Sequence, residues 1–169
     1  MKIARIALIV LLTVAGRAQE SKPVAASAGV LSVAETQRVM PTAVFFQGRL
    51  ATVQMRNSFG VRFASGGLML AGMVDTGGYS SAIKDKYQFY LLSDTSFEIE
   101  GKKFSPGSYG CGFGQDGLLV MDLGGNELLH KPVTHDAAMA RPRPLQMQAG
   151  KGPDEFRLYL GRDFVTIRP

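Results

Sequence analysis

Tryptophan is absent from the chain, cysteine occurs once and histidine twice among its 169 residues. A single cysteine excludes a disulfide scaffold and a cysteine-rich zinc site. Long hydrophobic runs are missing too. The one apolar stretch that stands out, Ile6 to Ala15, is about half the ~20 residues that a membrane-spanning helix needs. Glycine is plentiful, at 20 residues, but has no three-residue period, which excludes a collagen-like chain. A hydrophobic share of 46% is too high for a disordered chain. What these absences leave is one globular domain, rich in turns and large enough to bury a core.

The short apolar stretch has its own reading. Lys2 and Arg5 precede its body, and the small residues Gly16 and Ala18 follow it, ahead of a cut between Ala18 and Gln19. Charge, apolar run and small-x-small site, in that order, are the marks of a secretory signal peptide. Residues 1–18 are therefore expected to form a cleaved signal helix. The mature protein is expected to be periplasmic or secreted, with no stable membrane span. Removal of Lys2, Arg5 and Arg17 lowers the formal charge from +5 to +2, because 16 basic residues then face 14 acidic ones. Arg141, Arg143, Lys151, Arg157, Arg162 and Arg168 concentrate positive charge, but Asp154, Glu155 and Asp163 dilute it. Binding nucleic acid needs a stronger local field than that, so no nucleic-acid partner is expected.

Residues 19–41 read as a flexible tether, dominated by alanine, serine and valine between Pro23 and Pro41. Within it, Ser32 and Glu35 have capping-box spacing, which predicts a short helix from Val33 to about Val39. A single β domain is expected over residues 42–169. Short alternating runs recur there, as in Leu50 to Arg56, and glycine punctuates them. Asn57-Ser58-Phe59-Gly60 and Ser65-Gly66-Gly67 read as turns. Leu68 to Val74 is apolar throughout, as befits a strand covered on both faces. Ser80 to Lys86 predicts one or two helical turns capped by a serine. Gln115-Asp116-Gly117 between two apolar runs is the strongest hairpin signal in the chain. Residues 131–144, with Pro132, Pro142 and Pro144, read as an exposed excursion. The sum is an all-β fold, an antiparallel β-sandwich or small barrel of about ten short strands.

The residues that carry chemistry are few. In Gly107 to Gly114, alternation places Tyr109, Cys111 and Phe113 on one face and Gly110, Gly112 and Gly114 on the other. A bare glycine face costs conformational entropy. Either a ligand approaches the backbone there, with Tyr109, Gly110, Gly112 and Gly114 as the binding residues, or large neighbours such as Phe or Met cover it, or a bulge sits there. Cys111, flanked by aromatic residues, reads as a buried thiol acting as a small hydrophobe. His130 and His135, with Asp136 or Asp122, offer metal-ligating types, but five residues apart across Pro132 is not the helical ligand spacing. Asp75, Asp94, Asp116, Asp154 and Asp163 sit beside turn residues and suit local backbone bonding. Arg141-Pro142-Arg143-Pro144 reads as a proline-pinned surface loop, and in extended form it also suits an acidic partner. No nucleophile elbow and no phosphate-binding glycine loop occurs, so no cofactor is implied.

The stretch Phe104-Ser-Pro-Gly-Ser-Tyr-Gly-Cys-Gly-Phe113, followed by the strand Leu118 to Leu123, resembles a motif of exported bacterial β-sandwich proteins of unknown function. The resemblance covers residues 104–123. It implies a sandwich fold and an exported setting, and brings no catalytic residues.

The residues and the resemblance lead to one expectation: a soluble, exported, non-catalytic binding or envelope-associated module. Its ligand is expected to be a glycan, peptide or protein of the cell envelope or extracellular space. The alternatives are a small secreted hydrolase or metal-dependent enzyme using His130, His135 and Asp136, and a carrier of a small apolar ligand.

Overall fold

The structure is a computed structural model that describes residues 27–169. The expected signal sequence, and the tether as far as residue 26, lie outside the described residues.

The chain enters as a two-residue strand, β1 (Gly29–Val30), and a helix, α1 (Val33–Val39). The capping box forms as its spacing predicts. The Glu35 N–H donates to the Ser32 hydroxyl at 3.3 Å, and the Ser32 N–H donates to the Glu35 carboxylate at 2.9 Å. This segment is not a free tether. β1 pairs antiparallel with the far end of β3 (Arg49–Arg62), and Thr36 and Met40 are buried. Backbone pairing supplies what the few apolar side chains of the segment do not.

β2 (Ala43–Phe46) turns into β3 through Gln47 and Gly48, both at positive φ, the backbone of a tight two-residue hairpin. The turn expected at Asn57 to Gly60 is instead an irregularity within one fourteen-residue strand, with a register shift between Val53 and Ser58. The Asn57 amide donates to the Gln54 side-chain oxygen at 2.9 Å, and the Ser58 hydroxyl to the Met55 carbonyl at 2.8 Å. Turn-forming residues are thus absorbed as a bulge, which bends the strand without ending it. β4 (Leu68–Val74) follows, then the one-turn helix α2 (Ser81–Lys84). Ser80 stands at the N-cap of α2 but makes no side-chain capping bond.

The remaining strands are β5 (Phe89–Ser93), β6 (Phe97–Ile99), β7 (Lys102–Phe104), β8 (Gly107–Gly114), β9 (Gly117–Met121), β10 (Glu127–Lys131), β11 (Thr134–His135), β12 (Arg143–Ala149), β13 (Phe156–Gly161) and β14 (Asp163–Arg168). They make two antiparallel sheets and no closed barrel. The larger sheet has the order β1-β3-β4-β5-β8-β9-β10, with β2 added along β3. The smaller has the order β12-β13-β14-β6-β7, with β11 beside β14. The fold is an all-β sandwich, with fourteen strands among the described residues where the turn spacing implies about ten.

Two cores result. Between the sheets, Phe59, Val61, Met69 and Leu91 pack with Leu158, Val165 and Ile167. On the outer face of the larger sheet a second core forms, in which Val44, Phe46 and Ala51 of the β2–β3 hairpin pack with Leu70, Tyr87 and Leu119. Phe46 is fully buried and stacks on Tyr87 with ring centroids 4.1 Å apart. β4 serves both cores, Met69 and Ala71 inward and Leu70 and Val74 outward, which is why it is apolar along its length.

Candidate functional site

The β8–β9 hairpin divides its side chains as alternation requires. Tyr109 and Cys111 point into the inter-sheet core, where the Tyr109 ring meets Phe97 and Phe104 edge-on at 5.7 and 5.3 Å and its hydroxyl donates to the Ser105 carbonyl at 2.7 Å. Tyr109 is therefore on the far side of the sheet from the glycines. The glycine face is filled at two positions of three. A Cβ on Gly110 would enter the ring of Phe46, and one on Gly112 would meet the carbonyl oxygen of Lys86. At Gly114 a Cβ would have nothing within 4 Å.

Beside this open end lies a cleft of about 340 Å³. Its floor follows the register of the larger sheet. Gly112 pairs with Leu119, and Leu119 with His130, so the three form a row across β8, β9 and β10. The backbone of Lys86 packs over Gly112, and the hollow opens beside that contact, bounded by Leu119 and His130. Lys86, Asp85, Asp116 and Glu127 line the cleft with them, each solvent-exposed. The His130 Nδ1 lies 3.8 Å from a Glu127 carboxylate oxygen. The end of β8 is pinned by Gln88, whose side chain accepts the Phe113 N–H at 2.9 Å and donates to the Phe113 carbonyl at 3.1 Å. A second shallow depression shares Asp85, Gly114 and Gln115, so the Gly114 backbone is flanked by open space on two sides.

Of the residues named from sequence, Gly112, Gly114 and His130 meet at this cleft, and Tyr109 and Gly110 do not reach it. His135 instead contacts Asp163 at 2.7 Å across β11 and β14. Asp136 accepts the Tyr159 hydroxyl at 3.0 Å and the Ala138 N–H at 3.1 Å. His130, His135 and Asp136 thus hold three different sets of partners. Asp122 caps a turn, accepting the Asn126 side-chain amide at 2.8 Å and its N–H at 2.9 Å, and these bonds hold its carboxyl below the usual range. Among the described residues, no three of His, Cys, Asp and Glu are grouped to hold a metal ion. Asp75 bonds local backbone as expected, accepting the Gly77 N–H at 2.9 Å, but Asp94 and Asp154 accept the N–H groups of Leu68 and Ala64, distant in sequence, at 2.6 and 2.9 Å; of the turn aspartates Asp116 alone lines the cleft.

The acids whose titration burial displaces are elsewhere. Burial pushes the Cys111 thiol and the Tyr87 phenol far up, and raises the phenols of Tyr79, Tyr90 and Tyr109. A thiol held protonated is no nucleophile. Cys111 is a packing residue.

Lys86, Asp85 and Glu127 were not singled out by sequence reasoning. The one available signal was the Gly124-Gly125-Asn126 turn, which folds β10 back on β9 and carries His130 and Glu127 toward Gly112. No family model matches the chain, and neither a curated protein nor a solved structure matches it.

Proposed function

We propose that the protein is an exported, non-catalytic β-sandwich module that binds a glycan, peptide or protein of the cell envelope or extracellular space in the cleft beside the β8–β9 hairpin. The observation that carries this reading is Gly114. Its backbone is bare at the mouth of the cleft, and exposed groups of both signs surround it, so a ligand can reach main-chain donors and acceptors as well as side chains. The volume falls within the ~300–1,000 Å³ range of small-ligand sites. The cleft's carboxylates are all solvent-exposed, within reach of a bound ligand's polar groups. The signal-like N-terminus and the resemblance over residues 104–123 support the exported setting.

The test is a binding screen of the purified protein against soluble peptidoglycan fragments and peptides, repeated with Gly114→Leu. Strand geometry at Gly114 accommodates the side chain, so the variant is expected to fold normally and to lose the interaction. Turnover of a ligand, or undiminished binding by Gly114→Leu, contradicts the proposal.

A further inference from the structure

A groove of about 320 Å³ opens between the sheets on the other flank of the molecule, between α1, β3 and β12. Both strands that border it are irregular there. β3 shifts register between Val53 and Ser58, and β12 between Arg143 and Gln146. Bulges re-aim side chains and concentrate beside functional sites. The residues they bring to this groove include Arg56 and Arg143.

These two arginines differ from most of their kind in the fold. Arg49 and Arg62 donate to the carbonyls of Gly78 and Gly66, Arg162 to that of Ala137, and Arg168 pairs with Glu155. Among the described residues, neither Arg56 nor Arg143 has a hydrogen-bond or ion-pair partner, and no aspartate or glutamate lines the groove. Its walls are otherwise apolar and amide, with Phe59, Leu145 and Met147 buried beneath. A third observation is independent of charge. Thr36 lines the groove from α1, is 1% exposed, and its hydroxyl has no hydrogen-bond partner among the described residues. A buried hydroxyl left unmade costs stability and calls for an explanation.

We propose that this groove binds a carboxylate carried on a small apolar body. Arg56 and Arg143 hold the anion through charge-assisted hydrogen bonds, the apolar body lies over Phe59, Leu145 and Met147, and the Thr36 hydroxyl supplies a further donor from the wall. The site is separate from the cleft of the proposed function and takes a different chemistry. The carboxylate has two sources, a free acid or the C-terminus of a peptide.

Isothermal titration of the purified protein with octanoate and with acetyl-Val-Leu, each against an uncharged counterpart (octanol and the amidated peptide), tests the proposal. Saturable binding of at least one acid is expected, with the uncharged counterpart weaker by at least about tenfold. Which acid binds identifies the source. Arg56→Gln with Arg143→Gln is expected to weaken binding by at least about tenfold at unchanged thermal stability, the Lys pair to restore part of it, and Gly114→Leu to leave it unaltered. Failure of both acids to bind, equal binding of the uncharged counterparts, or binding indifferent to the arginine substitutions overturns the proposal.

Discussion

Gly114 and Gly117 stand at either end of one hairpin loop and carry opposite predictions. Gly117 has φ +119°, and a Cβ there would strike the backbone of Lys131 and Pro132. Backbone cannot swing aside as a side chain can. Gly117→Ala is therefore expected to cost about 3 kcal/mol or more, read as a lowered urea midpoint. Gly114 meets nothing, so Gly114→Ala is expected to be neutral or to gain about 0.5 kcal/mol by the same measurement. Thr36→Val provides a third residue-scale test. Replacing an unpartnered buried hydroxyl with a methyl of the same shape is expected to leave stability equal or raise it by up to about 1 kcal/mol. A clear loss would mean that the hydroxyl is bonded after all. Cys111, buried with its thiol pushed up, is expected to resist alkylation in the native protein and to react once it is unfolded.

Among the elements, the β2–β3 hairpin has a large structural task, because with Met40, Tyr79 and Tyr87 it roofs the outer face of the larger sheet. Phe46→Ala empties the space above Gly110 and strands Tyr87, and is expected to cost about 3–5 kcal/mol. The α1 cap makes a prediction about pH. The Ser32 hydroxyl and N–H hold the Glu35 carboxyl below its usual range. A carboxylate depressed by folding stabilises above its unfolded pKa, and that contribution disappears as pH falls through the folded value. The stability difference between the protein and Glu35→Gln is accordingly expected to be present at neutral pH and to vanish on acidification below the carboxylate range.

Local signals were legible at this scale, and long-range ones were not. The α1 cap, the hairpin loop ending at Gly117 and the doubly covered β4 all follow from residues close together in the chain. Two features did not. Asn57 to Gly60 have turn chemistry, yet they form a bulge because β4 continues to pair beyond them. Residues 29–40 look like linker, yet they dock because β3 offers an edge and the outer face offers a socket for Met40. In the candidate site the same divide holds. Gly112 and Gly114 could be named from alternation and His130 brought near them by the Gly124-Gly125-Asn126 turn, whereas the approach of Lys86 depends on the pairing of β5 with β8, which is not written in any one segment.

At the scale of the whole molecule, the sandwich holds its apolar side chains in two layers, and two of its hollows are unlike in chemistry. One is a cleft with mixed charge beside the β8–β9 hairpin. The other is a groove with two arginines and no carboxylate at the β3–β12 edge. Among the described residues that line them, the titratable side chains are all solvent-exposed. Among the described residues no helix is long and apolar enough to cross a membrane. The central claim is recognition at the first hollow. Amide chemical-shift mapping tests it most directly, with labelled protein titrated against the peptidoglycan fragments and peptides of the screen. The account predicts saturable shifts confined to Gly112 through Gly117, Lys86 and the β10 residues around His130, with every probe recovered intact. Shifts centred elsewhere, or a probe converted to product, would contradict it.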